Sequence, residues 1–312
     1  MGALLVLGAG QVGTFAAWAA AELGVRVVAA DLCPAAAFYA RFGPRGGGDL
    51  LQLDALDPAA LRSVIETYTV DRVVLATGLS GMAGTADPHA LWKVTVDGAR
   101  ATGQAAVETG VRRLVFLSSF AVYGRPAMER ISETAPVQPR SAYGRAKATA
   151  EEVLLRRSDD GLSVCILRPC GLYGPHRPGT GSRSAELMDR LLAHCLSGDR
   201  LSLQGPPGGL DEYLYVKDLG HAVALAALAD SGREDAVLNV GTGRMTTLPD
   251  LRRALLCAVP SARVTLQERG DQGGTRVPLQ IDRIRAVLGF QPRYDLAAGL
   301  CDYLRDVEGC AA

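Results

Sequence analysis

The chain has 312 residues, 48% of them hydrophobic and 21% charged, which suits a globular protein with one large or two modest domains. Its formal net charge is zero, and its lysines and arginines are scattered. That excludes the electrostatic footprint of a nucleic-acid or membrane-surface binder and leaves small molecules as the expected partners. No apolar run reaches the length of a membrane span, and the first strand starts almost at Met1 without room for a leader, so a cytoplasmic protein is expected.

Ala3 to Leu7 reads as a buried strand, and it runs through Gly8-Ala9-Gly10-Gln11-Val12-Gly13 into a helix-like segment, Thr14 to Leu23. A strand, a Gly-x-Gly-x-x-Gly turn and a helix in that order let backbone amides approach a pyrophosphate, whose charge the helix N-terminus favours. The second strand, Arg26 to Ala30, is followed by Asp31, eighteen residues past Gly13. A carboxylate there can accept hydrogen bonds from an adenine-ribose 2′-hydroxyl and would repel a 2′-phosphate. NAD is therefore expected over NADP, with Arg41 and Arg45 as nearby cations that work against the preference.

Helix-like Pro58 to Glu66, strand-like Arg72 to Ala76, helix-like Leu91 to Thr109 and strand-like Leu114 to Leu117 follow. The alternation predicts parallel strands with crossover helices, hence an α/β doubly wound parallel sheet. The fourth of these segments ends in Ser118-Ser119, and in open parallel sheets reacting groups gather at the carboxyl ends of strands.

Pro136 and Pro139 mark a loop that feeds a helix capped by Ser141. That helix carries Tyr143 and Lys147, four residues apart and so on one face. The lysine ammonium can then favour the ionised phenol, the form that alcohol oxidation needs. Moving the phenol from about 10 to about 7 would require roughly 4 kcal/mol of differential stabilisation. Ser163 to Leu167 extends the sheet, and past Arg168-Pro169 the texture turns to Gly/Pro-rich loops at Tyr173 to Ser184 and Gln204 to Leu210, candidate pocket walls.

Cys33, Cys165, Cys170, Cys195, Cys257, Cys301 and Cys310 form an odd, scattered set without C-x-x-C spacing, read as reduced thiols in or near a core. His89, His176, His194 and His221 show no metal-ligand spacing, and no metal site is expected.

Almost the whole chain resembles the extended short-chain dehydrogenase/reductase family, the NAD-dependent epimerase/dehydratases. The resemblance rests on an ordered series: the glycine turn, Asp31, Asp54, Leu117 to Gly124, Tyr143 to Lys147, Leu167 to Pro175, Tyr215 to Leu219, Leu238 to Gly243 and Leu288 to Pro292. It implies a Rossmann sheet interleaved with a smaller substrate domain, residues 1–170 and 213–242 holding NAD and residues 171–212 and 243–312 holding substrate. It also implies catalytic roles for Ser119, Tyr143 and Lys147: Ser119 hydrogen-bonds the reacting oxygen, Tyr143 is the acid/base, and Lys147 bonds the nicotinamide ribose while lowering the tyrosine pKa. Gly8, Gly10, Gln11, Val12, Gly13, Asp31 and Asp54 would complete the cofactor site, with Asp54 meeting the adenine amine. A homodimer is implied, through helices resembling Leu91 to Thr109 and Ser141 to Arg156, whose apolar residues equally suit a core.

The departures from the family pattern bear on substrate. Leu7 replaces a customary glycine, and Thr95 a customary asparagine. Relatives acting on nucleotide sugars hold the diphosphate with an asparagine and an arginine at positions that here are Gly171 and Asp211. Arg177, Arg183 or Arg276 could compensate. Phe120-Ala121 replaces the Asp-Glu with which dehydratases protonate a leaving group. The expected function is NAD(H)-dependent hydride transfer at a secondary alcohol or ketone of a compact substrate, as a dehydrogenase, ketoreductase or epimerase. The alternatives are a nucleotide-sugar 4-epimerase and a nonenzymatic NAD-binding sensor or platform.

Overall fold

The computed structural model describes residues 2–45, 47–79, 87–206, 209–229, 236–268 and 277–308. Its first half alternates β1 (Ala3–Leu7), α1 (Gln11–Glu22), β2 (Val27–Asp31), α2 (Ala36–Phe42), β3 (Asp49–Gln52), α3 (Pro58–Thr67) and β4 (Val70–Leu75). Then come α4 (Pro88–Trp92), a π-helical turn (Lys93–Asp97), α5 (Gly98–Glu108), β5 (Arg113–Leu117), α6 (Ala142–Leu155) and β6 (Ser163–Pro169). The remainder is β7 (Gly171–Tyr173), α7 (Arg183–Leu196), β8 (Arg200–Gly205), β9 (Tyr213–Tyr215), α8 (Val216–Leu228), β10 (Val237–Val240), α9 (Leu248–Ala258), β11 (Arg263–Glu268), α10 (Asp282–Leu288) and α11 (Leu296–Glu308).

Seven parallel strands form one sheet in the order β10-β6-β5-β4-β1-β2-β3, so the doubly wound α/β expectation holds. β1 and β5 are buried along their whole length, as near-continuous apolar runs in a sheet covered on both faces should be. Alternate side chains separate two cores. Leu4, Val6, Val74, Val115 and Leu167 pack under α1 and α8. Leu5, Leu7, Val73, Leu114 and Phe116 pack under α3, α5 and α6. The chain reverses direction across the sheet between β1 and β4, which leaves a crevice at their carboxyl ends.

The last strand of the sheet comes from late in the chain: β10 pairs with β6, and α8 packs on α1 so closely that a Cβ on Gly220 would lie 2.5 Å from the Phe15 carbonyl. Small parallel pairs, β7 with β9 and β8 with β11, lie outside the sheet, and Tyr173, Met188, Tyr215, Leu255 and Leu300 belong to a third core beside them. α11 is fastened by Lys217, whose ammonium reaches Asp302 at 2.6 Å and Asp306 at 2.8 Å. Among the described residues no helix is long and apolar enough to cross a membrane.

Candidate active site

The glycine turn is shaped by contacts that only hydrogen side chains allow. Gly8 has φ +94°, a backbone region that L side chains rarely adopt, and a Cβ there would sit 2.7 Å from the Thr77 amide nitrogen across the β1–β4 crevice. A Cβ on Gly13 would collide with the Gly8 carbonyl, whereas one on Gly10 would project into open space. The first turn of α1 carries neither an acidic residue nor a side-chain cap. A tight turn, an uncovered backbone and a helix N-terminus free of negative charge fit a dinucleotide pyrophosphate. Leu7, where the family has glycine, is a fully packed strand residue at 2% exposure and leaves this turn intact.

Asp31 stands half-buried at the end of β2, one carboxylate oxygen accepting the Cys33 amide at 2.9 Å. Asp54 is exposed beyond β3 and accepts from the Leu56 amide at 2.9 Å. Asp31 thus closes the strand next to β1, and Asp54 follows the carboxyl end of the strand beyond it. Arg41 is turned elsewhere, donating to the Asp306 and Val307 carbonyls of α11. Gln11 donates its side-chain amide to the Gly174 carbonyl at 2.9 Å, tying the glycine turn to the loop after β7.

Ser119 follows β5 in extended backbone, its hydroxyl accepting the Ala121 amide at 3.2 Å. Ser141 caps α6 by accepting the Gly144 amide at 3.0 Å, which sets the register of the helix and so the direction of Tyr143. Gly144 lets α6 approach, since a Cβ there would lie 2.6 Å from the Ala121 carbonyl. The Ser119 hydroxyl hydrogen-bonds the Tyr143 phenol. Lys147, 3% exposed, donates to the Leu117 carbonyl at 2.6 Å and the Thr77 carbonyl at 3.5 Å, and its ammonium lies 5.9 Å from the centre of the Tyr143 ring.

The electrostatics differ from the expectation. Burial pushes the Tyr143 phenol above its ordinary pKa, and the lowering influence is the Ser119 hydrogen bond rather than the lysine. Burial also pulls Lys147 down to about 8, against the pull of Glu151. The ammonium is aimed past the phenol at two main-chain carbonyls, which explains its weak hold on the tyrosine.

A buried polar chain, not foreseen from the sequence as a unit, backs this set. Glu151, one turn beyond Lys147, accepts from Ser118 Oγ and from Arg168 at 3.0 Å (Nε) and 2.5 Å (Nη2). Arg168 donates onward to the Tyr123 hydroxyl at 3.0 Å, and Tyr123 to Asn239 Oδ1 at 2.7 Å. Arg168, Tyr123 and Asn239 all stand in the family-like motifs, which was the available signal. Thr77 and Gly78 form a further wall beside Lys147 that the sequence did not suggest.

At the start of β7, Gly171 has no room for a side chain: a Cβ would lie 2.7 Å from Ser184 Oγ and 2.9 Å from the Glu212 carbonyl. Asp211 forms a bridge with Thr246, and its carboxylate accepts the Glu212 amide at 3.0 Å. Glu212 is buried and gathers the amides of Thr242, Gly243 and Leu279 at 2.6, 2.7 and 2.8 Å. Arg183 is exposed at the start of α7, Arg177 is half-buried, and Arg276 lies outside the described residues.

Thr95 falls inside the π-helical turn, where its buried hydroxyl has no hydrogen-bond partner. Of the cysteines, Cys165, Cys170 and Cys195 are buried, but Cys33 and Cys257 are exposed, which corrects the expectation for those two; Cys310 lies outside the described residues. Among the described residues no three of His, Cys, Asp or Glu group as metal ligands do.

The sequence model of the NAD dependent epimerase/dehydratase family matches residues 4–241. The chain is 32% identical over 231 residues to a UDP-glucose 4-epimerase of Mycolicibacterium smegmatis, 72% of each chain being covered. It is 29% identical over 275 residues to UDP-glucose 4-epimerase 4 of Oryza sativa subsp. japonica, covering 80% of this chain and 74% of the relative. Among solved structures it is similar to a dTDP-glucose 4,6-dehydratase double mutant, DesIV of Streptomyces venezuelae, with NAD and DAU bound. That similarity has a TM-score of 0.80 and 25% identity, with 98% of each chain covered. With the glycine turn and the Ser119/Tyr143/Lys147 set on the same edge of the sheet, the chain belongs to the NAD dependent epimerase/dehydratase family of enzymes.

Proposed function

We propose that the protein is an NAD(H)-dependent oxidoreductase acting at a secondary alcohol or ketone of a compact substrate without a nucleotide diphosphate. The observation that supports this best is the juxtaposition of Ser119, Tyr143 and Lys147 at the carboxyl end of the sheet, beside the Gly8–Gly13 turn. Gly8, Gly10, Gln11, Val12 and Gly13 would hold the pyrophosphate, Asp31 the adenine ribose, Asp54 the adenine amine, and Lys147 with Tyr143 the nicotinamide ribose. NAD when bound supplies the hydride acceptor or donor. Tyr143 Oη takes the proton from the substrate hydroxyl or returns it to the carbonyl oxygen, and Ser119 Oγ orients that oxygen. The Ser119 hydrogen bond favours the phenolate, against the burial that disfavours it.

The substrate class rests on Gly171 and Asp211. With Ser184 packed where an asparagine side chain would start and a carboxylate in place of an arginine, a diphosphate would lose charge-assisted bonds of about 1.5–3 kcal/mol each. The second reading, a nucleotide-sugar 4-epimerase, is favoured by the names of the relatives. A panel of UDP- and dTDP-sugars against uncharged ketones and secondary alcohols separates the two. Efficient turnover of a nucleotide sugar would sink the compact-substrate proposal and promote the epimerase. Purified protein that binds NADH yet turns over no carbonyl would instead favour a sensor.

The division into residues 1–170 with 213–242 for NAD and 171–212 with 243–312 for substrate is supported by the return of α8 and β10 to the sheet. A homodimer through α4, α5 and α6 is supported by the exposed Trp92, although Ala99, Ala105, Ala150 and Leu154 on these helices are spent on the monomer's own core. Sedimentation equilibrium with Trp92→Glu tests that interface. The unpaired thiols suit a reducing compartment such as the cytoplasm.

A further inference from the structure

Glu151 is 3% exposed in the middle of α6, a position where an ionised carboxylate costs several kcal/mol unless it is paired. Its pairing is complete: Arg168 approaches with two nitrogens, and Ser118 donates its hydroxyl. A mere core ion pair can stand anywhere in a core. This one stands four residues after Lys147 and eight after Tyr143 on the same helical face, and its Ser118 arm ends one residue before Ser119. It therefore touches the sequence neighbour of Ser119 and stands one helical turn from Lys147, while none of its hydrogen-bond partners is Ser119, Tyr143 or Lys147.

The surroundings of Lys147 single out Glu151 as its counter-charge. From β5 the ammonium meets the Phe116 ring at 4.7 Å and the Leu117 carbonyl, and from the loop after β4 the Thr77 carbonyl, all uncharged. On its own helix stand Tyr143 and Glu151. On the π-helical turn packed against α6, Lys93 is exposed and Asp97 is bound to Arg100 at 2.6 Å, while on β6 Arg168 is engaged with Glu151. Burial alone would drive Lys147 toward the neutral amine, and Glu151 is the carboxylate that opposes it.

We propose that Glu151 is a positioning residue for Lys147: held by Arg168 and Ser118, its carboxylate keeps the buried ammonium charged and seated against the Leu117 and Thr77 carbonyls. The inference rests on the proposed hydride-transfer role of Lys147 but not on any turnover. Arg168 limits the effect by sharing the charge, so the two residues act on Lys147 with opposite signs.

The chain has only three lysines, Lys93, Lys147 and Lys217, so ¹³Cε-lysine labelling of the full protein gives three titrating resonances, with Lys147→Met assigning the one of interest. In Glu151→Gln the Lys147 midpoint is expected to fall by roughly half a pH unit or more, and in Arg168→Gln to rise by a similar amount. In the double variant the rise should vanish. Shifts of both single variants in one direction, no shift, or a rise that persists in the double variant would each overturn the proposal. Should Glu151→Gln fail to fold, the Arg168→Gln titration decides by the same criterion. As a second readout, calorimetric titration with NAD should show Glu151→Gln losing affinity increasingly from pH 6 to pH 8, whereas a purely structural role predicts a loss independent of pH. Protein that binds no NAD at all would contradict the cofactor assignment and leave the lysine titration to judge Glu151 separately.

Discussion

Gly144 on α6 and Ala121 after β5 approach so closely that one methyl group on the glycine would lie 2.6 Å from the Ala121 carbonyl. The contact brings the helix bearing Tyr143 against the turn bearing Ser119, so the distance between the two hydroxyls proposed to act on the substrate is set by a residue with no proposed part in the chemistry. Gly144→Ala should push the helix away. We expect a loss of about 1–3 kcal/mol in stability by urea unfolding, together with a drop in turnover larger than the fraction unfolded accounts for. Full activity in the folded variant would show that the contact does not gauge the site.

Tyr143→Phe removes the hydroxyl proposed to transfer the proton while leaving the ring and the helix in place. NAD binding should persist and turnover should fall by about 10²- to 10⁴-fold. Lys147→Met should damage both. Stopped-flow measurement of hydride transfer decides the matter, and a Phe variant reacting at the wild-type rate would refute the role given to Tyr143.

Lys147 produces opposite pH trends in function and in folding. Its folded-state value of about 8 lies below its ordinary 10.5, so between these two values the unfolded chain binds more protons than the native one. The lysine's contribution to stability therefore rises with pH across that window, while the charged form that its proposed ribose contact calls for is lost above about 8. Comparing wild type with Lys147→Met by thermal unfolding from pH 7 to pH 10 should show the wild type gaining relative stability as its NAD affinity declines. Parallel trends would contradict the assignment.

Asp31→Ala removes both the proposed ribose acceptor and the proposed source of phosphate repulsion. NAD should bind more weakly and its advantage over NADP should narrow, a change read by titrating each cofactor. Arg41 is committed to α11 and should not become a phosphate ligand in the variant. Unchanged relative affinities would place Asp31 away from the ribose.

Glu212 ties the segment after β10 to the one before α10 by gathering three amides, of which that of Leu279 is buried. Replacing it with Gln turns one acceptor into a donor facing N–H groups. The expected cost is about 1.5–3 kcal/mol for each charged bond lost, read as a lower urea midpoint. A midpoint within error of wild type would mean that the amides find other acceptors.

Much of the fold could be read in the sequence because a doubly wound sheet writes each element locally. β1 is an unbroken apolar run, Ser141 announces the start of α6, and Tyr143 and Lys147 share a face through simple helical spacing. The continuous helix expected from Leu91 to Thr109 is instead divided by a π-helical turn, which has no periodicity of its own to betray it. The β8–β11 pairing and the Tyr123–Asn239 bond join residues 63 and 116 positions apart, and nothing in local pattern encodes such partners. The electrostatic sign at Tyr143 was also hidden, since sequence spacing places an ammonium near a phenol but does not say which carbonyls it prefers.

The packing around Gly171 constrains how such a site can change over time. A lone substitution to asparagine would strike the Ser184 hydroxyl, which a smaller residue at 184 relieves, but also the Glu212 carbonyl, which is main chain and which no substitution at 212 removes. The β7–β9 ladder would have to spread before the side chain could enter. Changing the single codon therefore does not by itself open the gap. The room at position 171 is thus set by the path of the backbone, and a redesign to admit a longer side chain there would have to begin with that strand pair rather than with the side chains lining it.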